Sequence, residues 1–187
     1  MNHSIVSRSM MTSAALMMLQ TSHLSGQVRQ DHPLIPRFVG SVLLDDSSVT
    51  NDEFPLITGP LKKGKFTQVV PLEGKISHFH YKNPPDRSTF EIFKAYRGSL
   101  QQAGFHILFA CSDLECGEAA NEDYYRRWIG RWCEGIAIQC PEPMRYLAAK
   151  LTQPTGDVYV AVQIKTNTNY NVPQFQDGTF LKVIEVK

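Results

Sequence analysis

The chain has 187 residues, 42% of them hydrophobic and 20% charged, with a formal net charge of +1 at pH 7. That length suits one domain with a sufficient core, and the balanced charge argues against nucleic acid or an anionic membrane surface as a partner. No segment repeats at a fixed period, and the longest basic run, Lys62-Lys63-Gly64-Lys65, reads as a solvated turn.

At the start, Arg8 precedes an uncharged run from Met10 to Leu19, followed by the polar, small-residue segment Thr21 to Gly26. This is the pattern of a secretory signal peptide. The run is shorter than the ~20 apolar residues a bilayer span needs, and a cleavage-like region follows it rather than a stop-transfer pattern. Residues 1–26 are therefore expected to be removed, leaving one domain over 27–187. Cleavage takes Arg8 from the 19 Lys and Arg and nothing from the 18 Asp and Glu, so the mature chain is formally neutral. The expected location is the periplasm, with the extracellular medium as the alternative. Neither a lipid anchor nor a transmembrane segment is expected.

From Gln27 to Leu72 the chain is rich in Pro, Gly, Asp and Ser, with short apolar stretches at Phe38–Leu44 and Phe66–Val70. One or two strands with long loops are expected there. A strand over 74–81 follows, ended by Asn83-Pro84-Pro85. Ser88, with Glu91 three residues on, predicts a capped helix over 89–103 in which Phe90, Phe93, Tyr96, Leu100 and Ala103 form the buried stripe, and Gly104 ends it. The next strand covers 105–111. This β-α-β unit predicts two parallel strands and a right-handed crossover.

A second helix is expected between Glu118 and Trp132, with Tyr125, Trp128, Ile129 and Trp132 facing the core and Arg126, Arg127 and Arg131 on the opposite arc. The C-terminal part reads as a hairpin, Arg145–Leu151 and Val158–Lys165 around a turn at Gln153–Gly156, and a final strand from Phe180 to Val186 after the long polar loop Thr166–Gly178. The expected fold class is α+β: one domain with a mixed sheet and two helices on one face.

The cysteines Cys111, Cys116, Cys133 and Cys140 belong to a chain bound for an oxidising compartment, so disulfides are the default. Short separations favour 111 with 116 and 133 with 140. A zinc site would need a spacing that these four do not have.

Several ordered motifs resemble one family. They are Asp31-His32-Pro33-Leu34-Ile35 with Arg37 and Gly40-Ser41, Leu72-Glu73-Gly74-Lys75, Arg87-Ser88, Tyr96 with Leu100, and Ala103-Gly104-Phe105. Cys111 with Cys116-Gly117, Gly156-Asp157-Val158-Tyr159-Val160 and Val183-Ile184-Glu185-Val186 complete the set. Together they are similar to the DUF4892 family of Gram-negative envelope proteins. The resemblance implies an envelope location and the Cys111–Cys116 pair, but no chemistry, because the family carries no agreed activity. Its members are often joined to an OmpA-like peptidoglycan-binding domain, which is absent here, so direct wall anchoring is not expected.

For chemistry, His78 and His80 lie two apart on one strand and project from one face, a usable geometry for two metal ligands. A third ligand would come from His32 or His106. The alternative is that Phe79 and Tyr81 pack under the helix while both histidines occupy the wetter face. Asp45-Asp46 and Asp52-Glu53 read as solvated, and no hydrolase or phosphate-loop motif is present. No catalytic residue and no cofactor is assigned. The reading is a non-catalytic envelope module, a monomer or weak oligomer, that binds an envelope protein or a wall or lipid component through Asp31, His32, Arg37, Arg126, Arg127 and Arg131. The alternative is a released effector or a hydrolase without a familiar motif.

Overall fold

The structure, a computed structural model, describes residues 30–63, 65–117, 144–165 and 178–187. Its centre is a six-stranded sheet in the order β1-β4-β8-β7-β6-β5, in which every neighbouring pair is antiparallel. The strands are β1 (Val42–Ile57), β4 (Val69–Lys82), β5 (His106–Ser112), β6 (Met144–Leu151), β7 (Val158–Lys165) and β8 (Gly178–Glu185). Two short strands, β2 (Leu61–Lys62) and β3 (Lys65–Phe66), form a separate ribbon between β1 and β4.

One face of the sheet is covered by α1 (Thr89–Gln102). The Ser88 hydroxyl accepts from the Glu91 N–H at 3.2 Å and caps the first turn. The Glu91 carboxylate does not close the reciprocal half of the box but accepts from Arg87 Nη1 at 2.8 Å. Ile92, Phe93, Tyr96 and Leu100 are buried, whereas Phe90, expected in the stripe, is 52% exposed and Ala103 is also exposed. The helix turns Ile92 rather than Phe90 onto the sheet, against Leu147, Val160, Val162 and Leu181. Gly104 ends it at a φ of +86°, with the Phe105 N–H donating to the Leu100 carbonyl.

The other face carries a second core, supplied by the long β1–β4 hairpin. β4 pairs with β8 only from Lys75 to Lys82, and the β1–β4 register shifts between Val49 and Asp52, at the same level. A bulge of this kind bends a strand and raises its local twist. Beyond it the hairpin leaves the sheet as a two-stranded arm in which Pro55 sits opposite Pro71, a rung free of the central ladder and therefore tolerant of two residues without N–H groups. The arm buries Phe54, Leu56, Ile57 and Leu72 with Ile76, Tyr146, Ala148, Ala161 and Ile184. Gly74 marks the bend, where a Cβ would collide with the carbonyl oxygen of Glu185.

The described fold corrects the sequence expectation in three respects. The sheet is antiparallel throughout rather than mixed, and it is covered by one α-helix among the described residues rather than two on one face, so the architecture is mainly β. The β4-α1-β5 unit does run its strands in one direction, but they occupy positions two and six because β6, β7 and β8 form between them. Third, the stretch expected as short strands and loops near the start contains a 16-residue β1, followed by β2, β3 and the start of β4, since pairing along β4 imposes an extended conformation even on Asp45–Val49. The second expected helix, Cys133, Cys140, Arg126, Arg127, Arg131 and residues 1–26 lie outside the described residues, as do residues 166–177.

Candidate functional site

The N-terminal segment from Asp31 to Phe38 lies over the edge of the helix-covered face. Ile35 enters that core, and the His32 ring, 7% exposed, meets Phe79 edge-on at 6.2 Å. His32 Nδ1 accepts from the Leu34 N–H, and the Ile35 N–H donates to the His32 carbonyl. Burial holds the His32 pKa below its ordinary value. Asp31 and Arg37 form a two-contact ion pair, Nε to Oδ1 at 3.0 Å and to Oδ2 at 2.8 Å, with the guanidinium 5.7 Å from the Tyr81 ring centre. Beneath it the Tyr81 and Tyr96 hydroxyls are buried without a well-formed hydrogen bond among the described residues. Burial, and then the nearby Asp31 carboxylate, push the Tyr81 pKa up; burial does the same for Tyr96. Asp31 thus meets Arg37, and His32 meets the core separately, while Pro33, Leu34 and Pro36 are exposed.

His78 and His80 do share a face, the one opposite the helix. They are not both on a wet surface, however, because His80 is 4% exposed and stacks on Phe180 at 4.3 Å. Burial, reinforced by the positive charge of Lys165, lowers the His80 pKa to about 4. Neither proposed third ligand reaches the pair. His32 packs on Phe79, across the sheet, and His106 stands on β5, four strands from β4, or roughly 19 Å at the usual strand spacing. Among the described residues no three His, Cys, Asp or Glu are grouped to hold a metal.

Two amines share this second face. Lys165, 4% exposed, lies 4.7 Å from the Phe180 ring centre, and Lys182, opposite His78 in the ladder, lies 4.7 Å from that of Phe54. Burial brings the Lys182 pKa from 10.5 down to about 8, with Asp52 acting weakly the other way. The lone lysine inside Phe180-Leu181-Lys182-Val183-Ile184 was a legible sign that an amine points inward.

At the arm's contact with the sheet, Cys111 and Cys116 form a disulfide with S–S 2.07 Å, 3% and 4% exposed. It closes the 3₁₀ turn Asp113–Cys116 and sets Gly117 against Leu61 in a bridge between the ribbon and the turn. The Tyr146 hydroxyl donates to the Ile57 carbonyl at 3.1 Å beside it. A small apolar cavity lies between the disulfide, Phe66 and Phe109 and has no titratable side chain except Tyr146.

The remaining cluster was not singled out from the sequence. On the helix-covered face Arg145 of β6 donates through Nε to Thr89 Oγ1 at 3.3 Å and through Nη1 to Ser112 Oγ at 2.6 Å. Its guanidinium carbon lies 5.1 Å from the Phe90 ring centre and 6.0 Å from that of Phe93, and the Lys94 ammonium lies 5.4 Å from Phe90. The signal for it was an arginine at the head of a strand whose next four residues, Tyr146 to Ala149, are apolar.

Among the described residues these features define a mainly β fold with one covering helix, two cores on opposite faces of a single sheet, and a disulfide-fixed arm. No protein-family model matches the chain, and no curated protein matches it.

Proposed function

We propose that this chain is an exported, non-catalytic envelope module, similar to the DUF4892 family, that binds an envelope protein or a wall or lipid component. The observation that carries the reading is the buried Cys111–Cys116 disulfide, because such bridges persist in oxidising compartments and are reduced in the cytosol. The signal-like residues 1–26 support the same compartment. Binding rather than turnover is supported by the way charged groups pair off in the fold: Asp31 with Arg37, Lys75 with Glu185 at 2.7 Å, and Lys150 with Asp157 at 2.7 Å. Groups held in such pairs serve geometry and are poorly placed to exchange protons with a substrate.

Cell fractionation with intact-mass measurement tests the reading. The expected result is a chain lacking residues 1–26 in the periplasmic fraction, with Cys111 and Cys116 resistant to alkylation under denaturing, non-reducing conditions. A cytoplasmic chain that retains the leader and alkylates at both cysteines would overturn it.

A further inference from the structure

Of the four arginines among the described residues, two are answered by a carboxylate: Arg37 by Asp31, and Arg87 by Glu91 and Asp86. Arg145 differs. Its two hydrogen bonds among the described residues go to neutral hydroxyls, Thr89 and Ser112, and it enters no ion pair there. The Glu115 carboxylate accepts from the Ser112 N–H at 3.1 Å. A guanidinium has five N–H donors, so these two bonds fix its plane and leave three donors, on Nη1 and Nη2, uncommitted among the described residues. Strand β6 and helix α1 therefore hold a planar, oriented cation whose remaining donors match an oxyanion.

The setting adds two observations. Arg145 is bonded to Thr89, the first residue of α1, where the helix presents its positive end, and the first-turn carboxylate, Glu91, is paired with Arg87 rather than with Arg145. Phe90, 52% exposed, lies under the guanidinium and within 5.4 Å of a second cation, Lys94. A large aromatic ring held at the surface between two cations offers an apolar wall directly beside the charge.

We propose that Arg145, Lys94 and Phe90 form a binding site for a phosphate-bearing amphiphile, with the phosphate on the free Arg145 donors and the first apolar atoms of the ligand against Phe90. This deepens the envelope-module reading by naming the ligand class, and it rests on that reading only in taking the chain to be a binder. Neutral overall charge is consistent with it: attraction would come from one oriented site and not from a general field.

The test uses the mature chain and two probes, inorganic phosphate followed by amide NMR and phosphatidylcholine vesicles with or without phosphatidylglycerol followed by co-sedimentation. Wild type is expected to shift the Thr89, Phe90 and Ser112 amides with phosphate and to sediment with the phosphatidylglycerol vesicles. R145Q should weaken both by about tenfold or more, as removal of a charged two-point contact does. F90S, altered outside the core, should keep its thermal midpoint and the phosphate shifts but lose vesicle binding, which keeps the test decisive if R145Q fails to fold. Phosphate shifts without vesicle binding in wild type would overturn the amphiphile, and equal binding by wild type and folded R145Q would overturn the site. Fractionation reports separately: a cytoplasmic chain that still binds both probes sinks the envelope reading and leaves the site standing.

Discussion

Lys182 gives the most quantitative test of how the second face is packed. Its ammonium lies against Phe54, and burial lowers its pKa from 10.5 to about 8. At 1.36 kcal/mol per tenfold change in proton affinity, holding the charge there at neutral pH costs about 3 kcal/mol, reduced to about 2–3 kcal/mol by solvent screening at the part of the side chain that remains exposed. Methionine keeps the length of the stem, removes the charge and replaces the cation–π contact with a sulfur–aromatic one. K182M is therefore expected to be more stable than wild type by about 2–3 kcal/mol at neutral pH. The unfolded chain keeps the Lys182 proton up to pH 10.5 whereas the folded chain releases it above about 8, so wild-type stability rises across that window and the penalty is complete below it. Tyr81 and Tyr96 have raised pKa values and lower the stability of both proteins above pH 10.0, the ordinary tyrosine value, so the quantity to read is the difference between the two at each pH. Urea unfolding from about pH 6 to about pH 10 should show a difference that is flat to pH 8 and then shrinks by about 2 kcal/mol. A difference that stays constant across the upper range, or a K182M chain no more stable at neutral pH, would refute desolvation of this amine.

His80 predicts the complementary acid effect: its folded pKa of about 4 lies below the ordinary 6.5, so stability is complete above 6.5 and falls by about 3 kcal/mol as pH drops to about 4. H80F, which preserves a ring on Phe180, should flatten that part of the acid-unfolding curve followed by circular dichroism, and an unchanged curve would count against it. G117A should lose about 2 kcal/mol or more in chemical unfolding, because φ at this position is +146° and a Cβ would collide with Leu61. L147A, at a side chain with 0% exposure between α1 and the sheet, should cost about 2–5 kcal/mol, and a loss under about 1 kcal/mol would mean that the core had been misplaced.

Local chemistry was legible in the sequence. Ser88 caps the helix, Gly104 ends it, the turn near Pro154 joins β6 to β7, and Cys111 finds Cys116, each because a few adjacent residues determine the geometry. Neighbour order was not legible. The pattern of β4 and the apolar run of β5 reveal two strands but contain nothing to say that three later strands will form between them. β1 was hidden because Asp46, Ser47 and Ser48 are polar and exposed, and pairing with β4 holds them extended. The same limit applies to the candidate sites. That His78 and His80 share a face follows from their spacing, whereas the position of His32 across the sheet depends on how the N-terminal segment docks. Arg145 was missed because its interest lies in the absence of an acidic neighbour among the described residues, a property of tertiary placement rather than of any motif.

The position of β8 constrains when this domain can form. Latest in the chain of the described strands, it sits between β4 and β7, hydrogen-bonded to both. Until residues 178–185 are available, β4 and β7 have no common partner, and the β1–β4 hairpin and the β5-β6-β7 meander are separate pieces with open edges. A chain emerging from a ribosome therefore cannot complete this sheet before residues 178–185 are out. The same placement makes β8 the element that joins the two halves of the described sheet, so a nick before Gly178 should release two half-sheets prone to pair with other chains.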